Sequence, residues 1–102
     1  MEIKVGSRWK SAVCATEVIV VRGSGGDSDL RCGGQPMLAH GELRDDGRAP
    51  DEGWAQGAPM GKRYANEEAG LEVLVTKAGS GTLSVGAVAL PLKDAKALPS
   101  SD

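Results

Sequence analysis

Phenylalanine is absent, and aromatics make up only 3% of the 102 residues: Trp9, Trp54 and Tyr64. An aromatic-filled core is therefore excluded. Val, Leu, Ile, Ala and Met must fill the interior, and each buries less area. Two cysteines are too few for a secreted disulfide scaffold and fit a reducing compartment equally well. No block of one charge sign exists: 12 basic residues face 14 acidic ones, for a net charge of −2. Nothing therefore favours nucleic acid or an anionic membrane surface as a partner. No apolar stretch approaches the ~18 residues of a membrane span. Met1-Glu2-Ile3-Lys4-Val5 lacks the basic start and long apolar centre of a signal peptide. The expectation is a cytoplasmic protein.

Catalytic signatures are missing too. There is no Gly-x-x-x-x-Gly-Lys-Ser/Thr loop. Gly23-Ser24-Gly25-Gly26 follows a strand-like run, but no helix pattern follows it, so a dinucleotide site fails on context. A hydrolase triad would need His40, the only histidine, with Cys14 or Ser11, and nothing marks a strained nucleophile turn. Asp45-Asp46 and Asp51-Glu52 read as a solvated face rather than a fixed acid–base pair. The chain is not expected to be an enzyme.

What the chain does contain is a pattern stated twice. Trp9-Lys10-Ser11-Ala12-Val13-Cys14-Ala15-Thr16-Glu17-Val18-Ile19-Val20-Val21 returns 55 residues on as Tyr64-Ala65-Asn66-Glu67-Glu68-Ala69-Gly70-Leu71-Glu72-Val73-Leu74-Val75-Thr76. Each copy then meets a Gly/Ser turn. Leu30-Arg31-Cys32-Gly33 follows in the first, and Leu83-Ser84-Val85-Gly86, now 53 residues on, in the second. Half-chains of ~40 residues rarely bury enough apolar surface alone, so two halves sharing a core is the expected solution.

Local patterns place strands at Ile3–Val5, Thr16–Arg22, Asp29–Cys32, Leu71–Lys77, Gly81–Val85 and Val88–Leu92. The Gly-rich segment Gly23–Asp27 predicts a hairpin joining its flanking strands, and the second copy predicts the same. Pro91 argues for an edge position. Glu17 and Glu72, at equivalent repeat positions, are expected on the wet side of their strands. The organisation reads as a first repeat at 1–40, a Gly/Pro/Asp-rich connecting loop at 41–61, a second repeat at 62–92 and a tail at 93–102. Trp54 is unusual in such a loop. The preferred reading has it fold back and cap one half's core, and the alternative makes it an exposed contact for a partner.

These residues resemble desulforedoxin, also found as the N-terminal domain of desulfoferrodoxin and rubredoxin-like in character. In that family a small β module holds one iron with four cysteines. Its pattern runs aromatic-x-Cys-x-x-Cys-Gly, an apolar strand, a Gly-rich turn, then Leu-x-Cys-Cys-Gly-x-x-Met. Trp9 to Ala15 matches the opening, with Ser11 at the first cysteine position and Cys14 at the second. Leu30 to Met37 matches the close, with Cys32 kept and Gly33 at the fourth position. In the second copy Asn66, Ala69, Val85 and Gly86 stand at all four ligand positions. The resemblance implies an all-β fold of two tandem desulforedoxin-like β-hairpin modules packed as an intrachain pseudo-dimer, since the family commonly pairs two modules.

If that fold is kept, Cys14 and Cys32 lie near each other. Sulfurs ~2.3 Å from one metal in tetrahedral geometry are roughly 3.8 Å apart. A disulfide then needs only a further approach to ~2.05 Å, and two reduced relic thiols are the plainer outcome. Metal would need Ser11 as a weak ligand, His40 swinging in, or two chains sharing four thiolates. The expectation is no cofactor, with iron or zinc as the alternative. The first functional reading is a non-enzymatic accessory or interaction module with a protein partner, as monomer or homodimer. The second is a metal or thiol-redox carrier using Cys14 and Cys32.

Overall fold

A computed structural model describes residues 3–23, 28–42, 49–68 and 70–93. These residues form strands and turns with no helix. The strands are β1 (Arg8–Lys10), β2 (Glu17–Arg22), β3 (Leu30–Cys32), β4 (Gln35–Pro36), β5 (Leu38–Ala39), β6 (Arg63–Asn66), β7 (Leu71–Lys77), β8 (Leu83–Val85) and β9 (Val88–Ala89). They make two antiparallel sheets, one ordered β5-β1-β2-β7-β6 and the other β4-β3-β8-β9. No helix long and apolar enough to cross a membrane occurs among the described residues.

β2 and β7 form the centre of the larger sheet because both of their edges are taken. β1 and β6 flank them, and they pair with each other from Glu17↔Lys77 to Arg22↔Glu72. Alternation then sends Val18 and Val20, with Leu71, Val73 and Val75, to one face. Leu30, Cys32 and Leu83 face them from the smaller sheet. All eight belong to one buried cluster that draws on both halves of the chain.

The order β4-β3-β8-β9 reads the same from either end under the repeat, and so does β1-β2-β7-β6 in the larger sheet. β5 beside β1 is matched beside β6 only by the Tyr64–Leu92 bridge, and several main-chain hydrogen bonds repeat with the sequence. Gly6 N–H donates to Val20 O at 2.8 Å, and Gly61 N–H to Val75 O at 2.9 Å. Met37 N–H reaches Leu30 O as Leu90 N–H reaches Leu83 O. Gly33 N–H donates to Thr82 O, and Gly86 N–H to Asp29 O, so each copy's turn is held by the other copy. The β2–β7 ladder carries one extra residue at each end, Thr76 on β7 and Val21 on β2. The extra residues are 55 apart, and the corresponding residues of the recurring hydrogen bonds are 55 or 53 apart.

Several expectations need correction. The Gly-rich turns do not close hairpins between β2 and β3 or between β7 and β8. Those strands lie in different sheets, so the segments between them cross from sheet to sheet. The hairpins are β1–β2, β6–β7, β3–β4 and β8–β9. Ile3–Val5 is no strand: Ser7 N–H bonds back to Lys4 O in a turn, and Ile3 is buried in the core. Val88–Leu92 shortens to β9 plus a single bridge between Leu92 and Tyr64. The segment 49–61 is docked rather than a free loop. Asp51 N–H donates to Gly33 O, and Ala58 bridges Gly79. Residues 24–27 of the first turn, 43–48 of the connection, Ala69, and the tail beyond Lys93 lie outside the described residues.

Glu72 is also not on a wet face: its side chain is 6% exposed. A thin layer of cationic side chains covers it, with Lys93 Nζ at 2.7 Å, Arg63 at 3.7 Å and Arg22 at 3.9 Å. The hydrogen bond from Lys93 holds its carboxyl below the usual range, against the opposing effect of burial. A lowered folded pKa means the contribution is complete above the ordinary carboxylate value of about 4.3 and is lost as pH falls through the lowered folded value. Because the three cations are themselves about half exposed, Glu72→Gln should cost only about 1 kcal/mol at neutral pH. Chemical denaturation of both proteins across pH checks this, and the difference should close on the acid side. A gap that widens with acid would refute it.

Candidate functional site

The first half's cysteines meet at the end of the smaller sheet. Ser11, just past β1 and fully buried, organises the loop to Thr16. Its Oγ accepts N–H bonds from Val13 and Cys14, both at 3.0 Å, while its own N–H donates to Thr16 O at 2.9 Å. A short oxygen acceptor therefore folds the chain back and points Cys14 inward. Cys32 ends β3, where alternation puts it in the core at 0% exposure. The two sulfurs are 3.8 Å apart, and neither is in a disulfide.

Two further residues complete the site. Thr16 Oγ1 lies 3.2 Å from Cys14 Sγ, and Gly81 N–H donates to the same sulfur at 3.3 Å. Gly81 has no room for a side chain. A Cβ there would sit 2.8 Å from Cys32 Sγ and 3.1 Å from Cys14 Sγ. The second copy's turn thus closes over the first copy's thiols. Sequence reasoning missed both residues. Thr16 reads as the start of a strand, and Gly81 reads as one turn glycine among several.

These donors set the proton inventory. Cys14 is lowered to about 4, first by the hydrogen bond from Cys32, with Ser11 and Thr16 adding to it against partial burial. Cys32 is pushed up, first by its bond to Cys14 and then by burial. The pair therefore holds one proton, on the buried sulfur, and one negative charge on the half-buried one. Alkylation of Cys14 by iodoacetamide should keep its rate down to about pH 5, where an ordinary thiol of pKa about 8.5 has lost nearly all reactivity. Mass-resolved alkylation rates test this. A rate falling tenfold per pH unit from about pH 8 downward would refute it.

The other positions that the resemblance would assign to ligands do not converge on the two sulfurs as metal donors. Gly33 has φ +68°, and a Cβ there would lie 2.6 Å from Val13 Cγ2 and 3.0 Å from Pro50 Cβ, so hydrocarbon fills the fourth position. Ser11 Oγ already accepts two backbone bonds. His40 is exposed, with Nε2 3.4 Å from Glu17 Oε1. In the second copy Asn66 pairs with Leu71 on β6–β7, Val85 packs against the core, and Gly86 takes φ +58° in the β8–β9 turn. Among the described residues no group of three or more His, Cys, Asp or Glu side chains could hold a metal. Among the described residues the donor set thus offers two cysteine sulfurs, fewer than the four of a four-thiolate iron or zinc site.

Trp54 does not cap the core. It is half-buried and lines an open cavity of about 340 Å³ with Asp29, Arg31, Gly34, Gly86 and Ala87. Its carbonyl accepts Thr82 N–H at 2.8 Å, and Gln56 N–H donates to Thr82 Oγ1 at 2.9 Å. Comparison with known protein families, curated proteins and solved structures finds no match to this chain.

Proposed function

We propose that this chain is a small non-enzymatic thiol-redox protein in which Cys14 and Cys32 cycle between dithiol and disulfide. The observation that carries the reading is the 3.8 Å sulfur separation, with a hydroxyl and a main-chain N–H aimed at one sulfur. Oxidation joins the two sulfurs and passes two electrons and the pair's one proton to a partner disulfide, which becomes one thiol and one thiolate, the latter protonated from water according to its own pKa. Closing an 18-residue separation restrains the unfolded chain by about 3 kcal/mol in the entropy model.

The scaffold is read as a duplicated desulforedoxin-like module written as an intrachain pseudo-dimer. The symmetric order of β4-β3-β8-β9 and of the β1-β2-β7-β6 portion of the larger sheet, with the hydrogen bonds recurring at offsets of 55 and 53, supports it. On this reading apolar packing at Val85 and Val13 replaces metal as the staple. An interaction module presenting Trp54 to a protein partner is the second reading, favoured by that side chain's place in an open cavity.

One preparation separates these readings. Native protein is assayed for iron and zinc, its free thiols are counted, and the count is repeated across a glutathione redox series. Two thiols that vanish together and return on reduction, without stoichiometric metal, support the redox reading. Thiols that stay free throughout the series would sink it.

A further inference from the structure

Resting on the redox reading above, we infer that the two cysteines have fixed and different jobs. Cys14 is the sulfur that attacks an external organic disulfide, Cys32 is the resolving thiol, and Thr16 is a positioning residue for the attack.

Access separates the two sulfurs first. Cys14 is half-buried, whereas Cys32 is 0% exposed and belongs to the shared core cluster with Val18, Val20 and Leu83. An incoming disulfide must bring one sulfur into line with the attacking atom, so only Cys14 can be reached without opening the fold. The placement of donors separates them again. Thr16 Oγ1 and Gly81 N–H both lie within 3.3 Å of Cys14 Sγ, and the neighbouring Cys32 thiol adds a third donor. Negative charge is therefore stabilised on the sulfur that solvent reaches, and the buried sulfur keeps the proton.

The steps balance. Cys14 thiolate attacks R–S–S–R′, forming Cys14–S–S–R and releasing R′–S⁻. Cys32, 3.8 Å from Cys14 Sγ in the resting protein, then attacks that sulfur. The internal disulfide forms, and R–S leaves with the proton that Cys32 gives up. The protein is oxidised by two electrons and the external disulfide is reduced to one thiol and one thiolate, the latter free to take its proton from water. In the reverse direction an external thiolate attacks the accessible Cys14 sulfur of the internal disulfide and expels Cys32, which takes up a proton. A second external thiolate then attacks the outer sulfur of Cys14–S–S–R and expels Cys14, whose lowered basicity suits it to leave.

The test uses oxidised glutathione on the whole chain. Cys32→Ser, with Cys32→Ala as a second variant against misfolding, should accumulate a mixed disulfide on Cys14 visible by mass. Cys14→Ser should react at least about tenfold more slowly near neutral pH. Thr16→Val should slow the attack at about pH 5 and much less at about pH 9, because the lost donor matters only where the thiolate is scarce, and Thr16→Ser should restore the profile. Equal rates for the two single-cysteine proteins, or a faster Cys14→Ser, overturn the assignment. A uniform slowing by Thr16→Val at every pH overturns its positioning role. The redox reading fails separately: the wild type would then stop at the mixed disulfide and never close the internal bond.

Discussion

Gly79→Ala is expected to cost about 3 kcal/mol or more, a large part of the ~5–15 kcal/mol that holds a domain of this size. A Cβ at this position would collide with the Thr16 hydroxyl and the Thr16 amide nitrogen, and would lie 3.0 Å from Thr16 Cα. These neighbours cannot yield in the way the end of a flexible side chain can. Thr16 is fully buried and its carbonyl is tied to Ser11 N–H. Gly79 is held from the other side by its bridge to Ala58. Relief must therefore pull the 79–82 turn off the thiols, breaking the Gly81 bond to Cys14 on the way. Gly41→Ala is the control: nothing lies within 4 Å of its Cβ position, and only a few tenths of a kcal/mol are expected. Urea unfolding with unchanged slope measures both. A Gly79→Ala midpoint matching that of Gly41→Ala would show that the two copies do not meet as closely as described.

That contact also explains what the sequence could and could not reveal. β2 and β7 were legible because Val18-Ile19-Val20-Val21 and Leu71-Glu72-Val73-Leu74-Val75 are dense in strand-forming residues. β1 and β6 were not, because Arg8-Trp9-Lys10 and Arg63-Tyr64-Ala65-Asn66 have too few apolar residues to show a period. They are strands because β2 and β7 offer them an edge. Strand partners were misread for a related reason. A glycine turn between two apolar runs signals a hairpin locally, yet β2 finds its main partner 55 residues away in β7. Glu72 was misplaced because alternation says which face a residue occupies, not what later covers that face.

The site divides in the same way. Cys14 and Cys32 could be placed together by laying the chain over a four-cysteine pattern, and they lie 3.8 Å apart. The groups that tune them could not. Gly81 comes from 67 residues beyond Cys14 and acts through its main chain, which carries no residue-specific mark. The crowding of Gly33 by Val13 and Pro50 is likewise a packing fact, visible only once 49–54 docks on the β3–β4 turn.

If the halves share one core, damage in one must be felt equally in the other. Leu71→Ala, at a 1% exposed position of β7 in the second copy, should cost about 2–5 kcal/mol. The loss should be read in full by Trp9, which sits on β1 in the first copy and is not a strand neighbour of β7. In a Trp54→Phe background, Trp9 emission and far-ultraviolet dichroism should therefore move together to the same lower midpoint in a single transition. Leu30→Ala, a fully buried change in the first copy's core, should do the same as seen from Tyr64. Two independent halves would behave otherwise: Leu71→Ala would leave the Trp9 transition where it was and split the dichroism curve. The single-transition outcome follows from three features already described. β2 pairs with β7, β3 pairs with β8, and each copy's turn donates to a carbonyl of the other. Neither sheet can lose one half without exposing the apolar face of the other, so the chain unfolds as one unit and the thiol pair is lost with it.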